Sequence, residues 1–124
     1  MSAEFLLEIK SLAHKNNVPI MQDATSEFIC SFIKSHNVKS VLEIGTAVGY
    51  SAIQFALVDE NIKVTTIEID IDRTIQAIKN VEKCGLKSRI KIINNDALAC
   101  DINEKFDLIF IDAAKAQYEK FFEK

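Results

Sequence analysis

Long apolar runs are missing from this 124-residue chain. "LIFI" at 108–111 is typical of the runs it has, far short of the ~20 residues that span a bilayer. The start, "MSAEFLLEIK", carries acids early and no basic stretch before an apolar core, so no signal peptide is expected. An excess of positive charge is missing too: net charge is −3, which provides no overall electrostatic footprint for nucleic acid. The three cysteines, Cys30, Cys84 and Cys100, are an odd number, widely spaced and without a CxxC. Neither a disulfide framework nor a zinc site follows; they read as small buried hydrophobes in a reducing compartment. Together these absences point to a cytoplasmic protein with no membrane partner. His14 and His36 stand in polar surroundings and read as surface residues. No repeat, low-complexity tract or linker interrupts the chain.

What is present is the balance of a globular domain: 48 % apolar residues, and 27 % charged residues of both signs, interspersed. The length suits one domain with one core. Residues 1–37 read as a helical cap. Ser2 can cap a helix with Phe5, Ile9 and Leu12 on its apolar face, joined by Leu6 and Ala13. "NNVP" at 16–19 ends it, since the residue before Pro19 is pushed out of the helical region. A second helix is expected from about Thr25 to Ser35, with Phe28, Ile29, Phe32 and Ile33 on one face.

From residue 38 the period changes. "SVLEI" (40–44), "KVTTIEI" (63–69), "IKII" (90–93) and "FDLIFI" (106–111) are nearly continuous and rich in Val and Ile, as strands covered on both faces are. A helix of about ten residues, "GYSAIQFALVD", separates the first two. "DIDRTIQAIKNVEKCG" separates the next two. It has Ile71, Ile75, Ile78 and Val81 on one side, acids in its first turn and Gly85 as its C-cap. Residues 38–124 therefore read as βαβ units: an α/β, doubly wound, mostly parallel sheet with right-handed crossovers, preceded by N-terminal helices. No element is placed between Asn94 and Lys105.

In such a sheet, ligands bind beyond the carboxyl ends of the strands. The first strand ends in "VLEIGTAVGYS" (41–51). Gly45 permits a sharp turn and close backbone approach, and Gly49 does the same at the helix start. The N–H groups that follow favour a carboxylate or phosphate. A dinucleotide site wants GxGxxG, and a P-loop wants Gly-Lys-Ser/Thr; neither is present. Glu43 at the strand end repels a phosphate and suits a ligand bearing an ammonium or sulfonium cation. Glu68 stands at the tip of the second strand, where an acid accepts the hydroxyls of a ribose. Asp96, after the third strand, can accept an adenine amino group, with backbone N–H groups nearby facing the ring edge. Adenine, ribose and an amino-acid tail are the parts of S-adenosylmethionine.

With these segments in order, the chain resembles the class I S-adenosylmethionine-dependent methyltransferases. Within them it resembles the cation-dependent O-methyltransferases of the catechol and caffeoyl-CoA type. The resemblance is carried by "VLEIGTAVGYSAIQFA" (41–56), "TTIEID" (65–70), "NNDAL" (94–98) and "FDLIFIDAAKAQY" (106–118). It implies that Glu43 and the Gly45 turn line the methionine part of the cofactor. Ser51, with the backbone of Gly49 and Tyr50, would hold its carboxylate; Glu68 would take the ribose; Asp96 and the Ala97 backbone would take the adenine. It implies Asp112 as a ligand of a divalent cation, Mg²⁺, and Lys115 as the base for a substrate hydroxyl. The substrate would be a catechol-like phenol, an acyl-CoA phenol or a hydroxylated tRNA base. Ala114 stands where the family often has another acid, and Ala47 where it often has an aromatic.

Family members continue with further strands and two more metal ligands, so the resemblance implies a Rossmann-like sheet with strand order 3-2-1-4 in this stretch. The expectation is therefore a methyltransferase cut after its fourth strand, inactive by itself, with "FDLIFI" as a bare edge that invites a dimer. Two other readings are a non-catalytic adenosyl- or nucleotide-binding module and a nicotinamide-dependent oxidoreductase, the latter disfavoured by the absent GxGxxG.

Overall fold

The change of hydrophobic period near residue 40 is where helices give way to a sheet. A computed structural model describes residues 2–16, 23–97 and 105–111. Two helices come first, α1 (Ser2–Lys15) and α2 (Asp23–Ser35). Then β1 (Ser40–Ile44), α3 (Tyr50–Leu57), β2 (Lys63–Glu68), α4 (Ile71–Lys83), β3 (Ile90–Asn94) and β4 (Leu108–Ile111) follow in alternation. The four strands form one sheet in the order β3-β2-β1-β4, and every pairing is parallel, as the βαβ pattern leads one to expect. β1 is central. Its Glu43 lies opposite Thr66 of β2 and Phe110 of β4.

Six of the eight α3 residues are buried, because α3 is covered by α1 and α2 while packing against the sheet. Ile53, Phe55 and Ala56 are fully enclosed with Val41 and Val64. The Phe110 ring meets Phe55 edge-on at 5.7 Å. The turn after α3 is tied by Arg89, whose Nη1 donates to the carbonyls of Ala56, Asp59 and Ile62.

The caps of α4 are local chemistry. Asp70 accepts from the Arg73 N–H at 3.0 Å, which satisfies one orphan donor of the first turn. At the other end Gly85 adopts φ +70°. Leu86 N–H donates to Val81 O at 3.1 Å and Gly85 N–H to Glu82 O at 3.0 Å. That is the Schellman pattern expected of a C-terminal glycine.

Three side-chain expectations are corrected. On α4 the isoleucines do not face the core: Ile71, Ile75 and Ile78 are 56, 44 and 41 % exposed. Thr74, Ala77 and Val81 are buried instead. Ala77 is where α4 passes against the turn after β1: a Cβ on Gly49 would sit 3.4 Å from Ala77 Cβ. On α1, Ile9 and Ala13 are buried while Leu12 is exposed. On α2, Ile33 is buried while Phe28 is 70 % exposed. Helix α2 also begins two residues before the expected Thr25, at Asp23, whose carboxylate pairs with Lys10 of α1 at 2.8 Å.

Candidate cofactor site

Glu43, Glu68 and Asp96 are brought to one end of the sheet because parallel strands present all their carboxyl ends together. Their environments differ. Glu43 is fully buried and Glu68 is 5 % exposed, whereas Asp96 is half-buried. A buried carboxylate must be hydrogen-bonded to be tolerated. Thr66 Oγ1 donates to Glu43 Oε1 at 2.7 Å, and the Ser51 hydroxyl donates to Glu43 Oε2. Thr46 and Thr66 hydroxyls lie 2.5 Å apart. Thr66 has one proton and Glu43 takes it, so Thr46 is the donor in that pair. The chain Thr46 to Thr66 to Glu43, closed from the other side by Ser51, fastens the turn and the start of α3 to the sheet.

Glu68 closes the second link. Its Oε1 accepts from Ala47 N–H at 2.7 Å and its Oε2 from Asp70 N–H at 3.0 Å. Gly45 and Thr46 N–H groups donate to Ile67 O at 2.9 and 3.3 Å. The turn itself runs through φ +98° at Gly45, +50° at Ala47 and +87° at Gly49. Glycine takes such angles freely, but Ala47 does so at a cost of about 1 kcal/mol, which the Glu68 bond offsets.

The site residues inferred from sequence are therefore distributed as follows. Glu43, Gly45, Gly49, Tyr50, Ser51 and Glu68 surround one turn. Gly49 caps α3 in the left-handed region with no side-chain cap on the helix. The Ser51 hydroxyl is turned inward to Glu43, which leaves the first-turn backbone N–H groups of α3 as the donors for an anionic ligand. Tyr50 is buried; burial pushes its phenol pKa up, with the nearby Lys10 ammonium opposing. Asp96 follows β3, its N–H held by Asn95 Oδ1 at 2.7 Å, and Ala97 stands beside it. Asp112 and Lys115 lie outside the described residues. Among the described residues no group of three or more His, Cys, Asp or Glu is placed to hold a metal ion.

Two residues that shape the site were not singled out from sequence. Thr66 is a hydroxyl buried in a central strand, and "VTTIE" does show it as a polar residue inside an apolar run. Asn94 Nδ2 reaches Glu68 O, Ile69 O and Thr74 Oγ1 at 3.0–3.2 Å, fixing the bend that carries Glu68. The pair of asparagines in "INND" gives no hint of which one does this. A separate cavity of about 460 Å³ opens between α1 and α4, lined by Leu12, Val48, Ile75 and Asn80 among others. None of the three acids lines it, so it is not the site they form.

The sequence profile of the O-methyltransferase family matches residues 1–124. The chain belongs to the O-methyltransferase family. This O-methyltransferase chain is similar to a catechol O-methyltransferase from Niastella koreensis, with 36 % identity over 94 residues, 68 % of this chain and 42 % of that protein. A caffeoyl-CoA O-methyltransferase candidate from Staphylococcus aureus has a similar solved structure: TM-score 0.89, 42 % identity, covering 95 % of this chain and 58 % of that one. So has an O-methyltransferase from Bacillus cereus in complex with SAH: TM-score 0.81, 28 % identity, covering 97 % of this chain and 59 % of that one. The chain thus spans about half the length of the relatives it matches.

Proposed function

We propose that this chain is the cofactor-binding part of an S-adenosylmethionine-dependent O-methyltransferase. The observation that carries the reading is the left-handed turn after β1, held by the buried Glu68 and backed by the buried Glu43. The first-turn N–H groups of α3 suit the cofactor's carboxylate. Acids beneath and beside them suit its ammonium and sulfonium charges. Glu68 lone pairs not used by Ala47 and Asp70 remain for ribose hydroxyls. Asp96 and the Ala97 backbone stand beyond β3, on the adenine side. The bound SAH of the Bacillus cereus relative supports the cofactor class.

The reaction would be a direct displacement. An oxygen lone pair of a hydroxyl acceptor forms the new O–CH₃ bond as the C–S bond breaks. The sulfonium leaves as a neutral thioether, and the hydroxyl proton passes to a base. The protein's part is alignment of donor and acceptor. The acceptor would be a catechol-like phenol, an acyl-CoA phenol or a hydroxylated tRNA base. The resemblance adds Mg²⁺, which Asp112 would help to hold, and Lys115 as the base. We also propose a cytoplasmic dimer, supported by β4, which pairs only with β1 among the described residues. No described helix is long and apolar enough to cross a membrane.

Calorimetric titration with S-adenosylhomocysteine, with NAD run alongside, tests the cofactor. Saturable binding of the former alone supports the reading. Binding of NAD alone would move the chain to the oxidoreductase class. Transfer of a labelled methyl group to a catechol would then show an enzyme rather than a non-catalytic binding module.

A further inference from the structure

The turn between β1 and α3 takes three positive φ angles in five residues. Such a turn keeps one shape only where its surroundings over-determine it. From one side β2 does so, through Ile67 O and Glu68. From the other side α4 supplies a contact that the cofactor reading does not use. Asn80 Nδ2 donates to Val48 O at 2.8 Å. One turn earlier on the same helix, Ala77 packs against Gly49. The Val48 carbonyl and the Gly49 N–H share one peptide plane, so holding the oxygen fixes that plane. Gly49 N–H in turn closes on Thr46 O at 3.0 Å. The next N–H groups open α3, and no side chain caps them.

We propose that Asn80 is a positioning residue for the cofactor. It locks the Val48–Gly49 peptide so that the first-turn N–H groups of α3 point at the cofactor's carboxylate. It does this from behind the turn, through backbone, and touches no cofactor atom. Ala77 sets the distance and Asn80 sets the orientation. The inference rests on the S-adenosyl cofactor reading above.

The role depends on a donor at one atom, which makes it separable from helix packing. Asn80→Asp keeps the shape but, when ionised, sets a carboxylate against the Val48 oxygen. When protonated, it again offers a donor. The unsubstituted chain, Asn80→Ala and Asn80→Asp are titrated with S-adenosylhomocysteine from about pH 8 down to about pH 4, where an ordinary aspartate is substantially protonated, with urea unfolding in the same buffers. Amide hydrogen exchange is followed over residues 45–52 without ligand.

Both variants are expected to stay folded and to bind roughly tenfold more weakly at pH 8, the order expected for one hydrogen bond. Asn80→Asp recovers relative to the unsubstituted chain as pH falls, while Asn80→Ala does not. Exchange rises at residues 45–52 and stays unchanged in β1 and β2. Unchanged affinity and unchanged turn exchange in folded variants would overturn the inference alone. An unsubstituted chain that is folded yet binds no S-adenosylhomocysteine would instead remove the cofactor reading, and this role with it.

Discussion

The backbone N–H of Ala47 and the carboxylate of Glu68, 21 residues apart, meet at 2.7 Å. The bond joins a residue held at φ +50° to the last residue of β2. Glu68→Ala leaves the Ala47 and Asp70 N–H groups without their acceptor. It is expected to cost about 1–3 kcal/mol in urea unfolding and to weaken S-adenosylhomocysteine binding more than tenfold by calorimetry. Equal binding in a folded variant would show that Glu68 serves the turn and not the ligand.

Glu43 is expected to matter for folding as much as for any ligand. Glu43→Ala removes the acceptor of two enclosed hydroxyls, Ser51 and Thr66, and leaves a void in the centre of the sheet. A loss of about 2–4 kcal/mol is expected. Thr66→Val, which removes the bonds to Glu43 and Thr46 but leaves Ser51 its acceptor, should lose about 1–2 kcal/mol. If both variants unfold at the urea midpoint of the parent chain, the network does not hold the turn.

Two glycines provide an internal comparison. Gly49 and Gly85 both have positive φ, 87° and 70°. A side-chain carbon added at Gly85 would meet nothing within 4 Å, whereas one added at Gly49 would meet Ala77 at 3.4–3.5 Å. Gly85→Ala should therefore cost about 1 kcal/mol from backbone strain alone. Gly49→Ala should cost at least as much and also weaken cofactor binding, because it strains the turn itself and brings the new carbon into contact with Ala77 of α4. A binding loss in Gly85→Ala equal to that in Gly49→Ala would contradict this.

The pH response is set by groups that burial keeps protonated. Burial raises the thiol pKa values of Cys30 and Cys84, with a Ser26 hydrogen bond opposing at Cys30. Burial raises the Tyr50 phenol as well. The folded chain then holds protons that the unfolded chain has released, so stability falls as pH rises. The contribution is complete below the ordinary thiol value of 9.0 and is lost above it. Asp59 acts at the other end. The Asn61 N–H, then Lys39, lower its pKa from 3.8, so its contribution is lost as pH falls through the lowered value. Urea midpoints measured through this range should drop on the alkaline side, with a shallower drop in Cys30→Ala. A flat alkaline profile would show that these groups are not buried in solution.

Much of the architecture is legible in the sequence because it is local. Strands of Val and Ile alternate with helices of period 3.6. Gly85 marks the end of α4, and parallel connectivity permits few strand orders. The acids Glu43 and Glu68 can be placed at strand ends for the same reason. The faces of the helices are less legible. Periodicity groups Ile71, Ile75 and Ile78 on one side of α4, but the sheet needs Thr74 and Ala77 there. Gly49 passes close to Ala77 on that face.

The sequence by itself determined the period of the elements, the glycine that ends α4 and the presence of acids at the carboxyl ends of the strands. Each follows from steric preference within a few residues. Only the tertiary structure decided how those acids are used. Glu43 takes the protons of Ser51 and Thr66, Glu68 takes the N–H of Ala47, and Asn80 takes hold of Val48 O. These partners lie 8 to 32 residues apart. A hydrogen bond forms where burial leaves a donor and an acceptor no water to choose instead. That choice is made by packing, after the strands and helices are already in place.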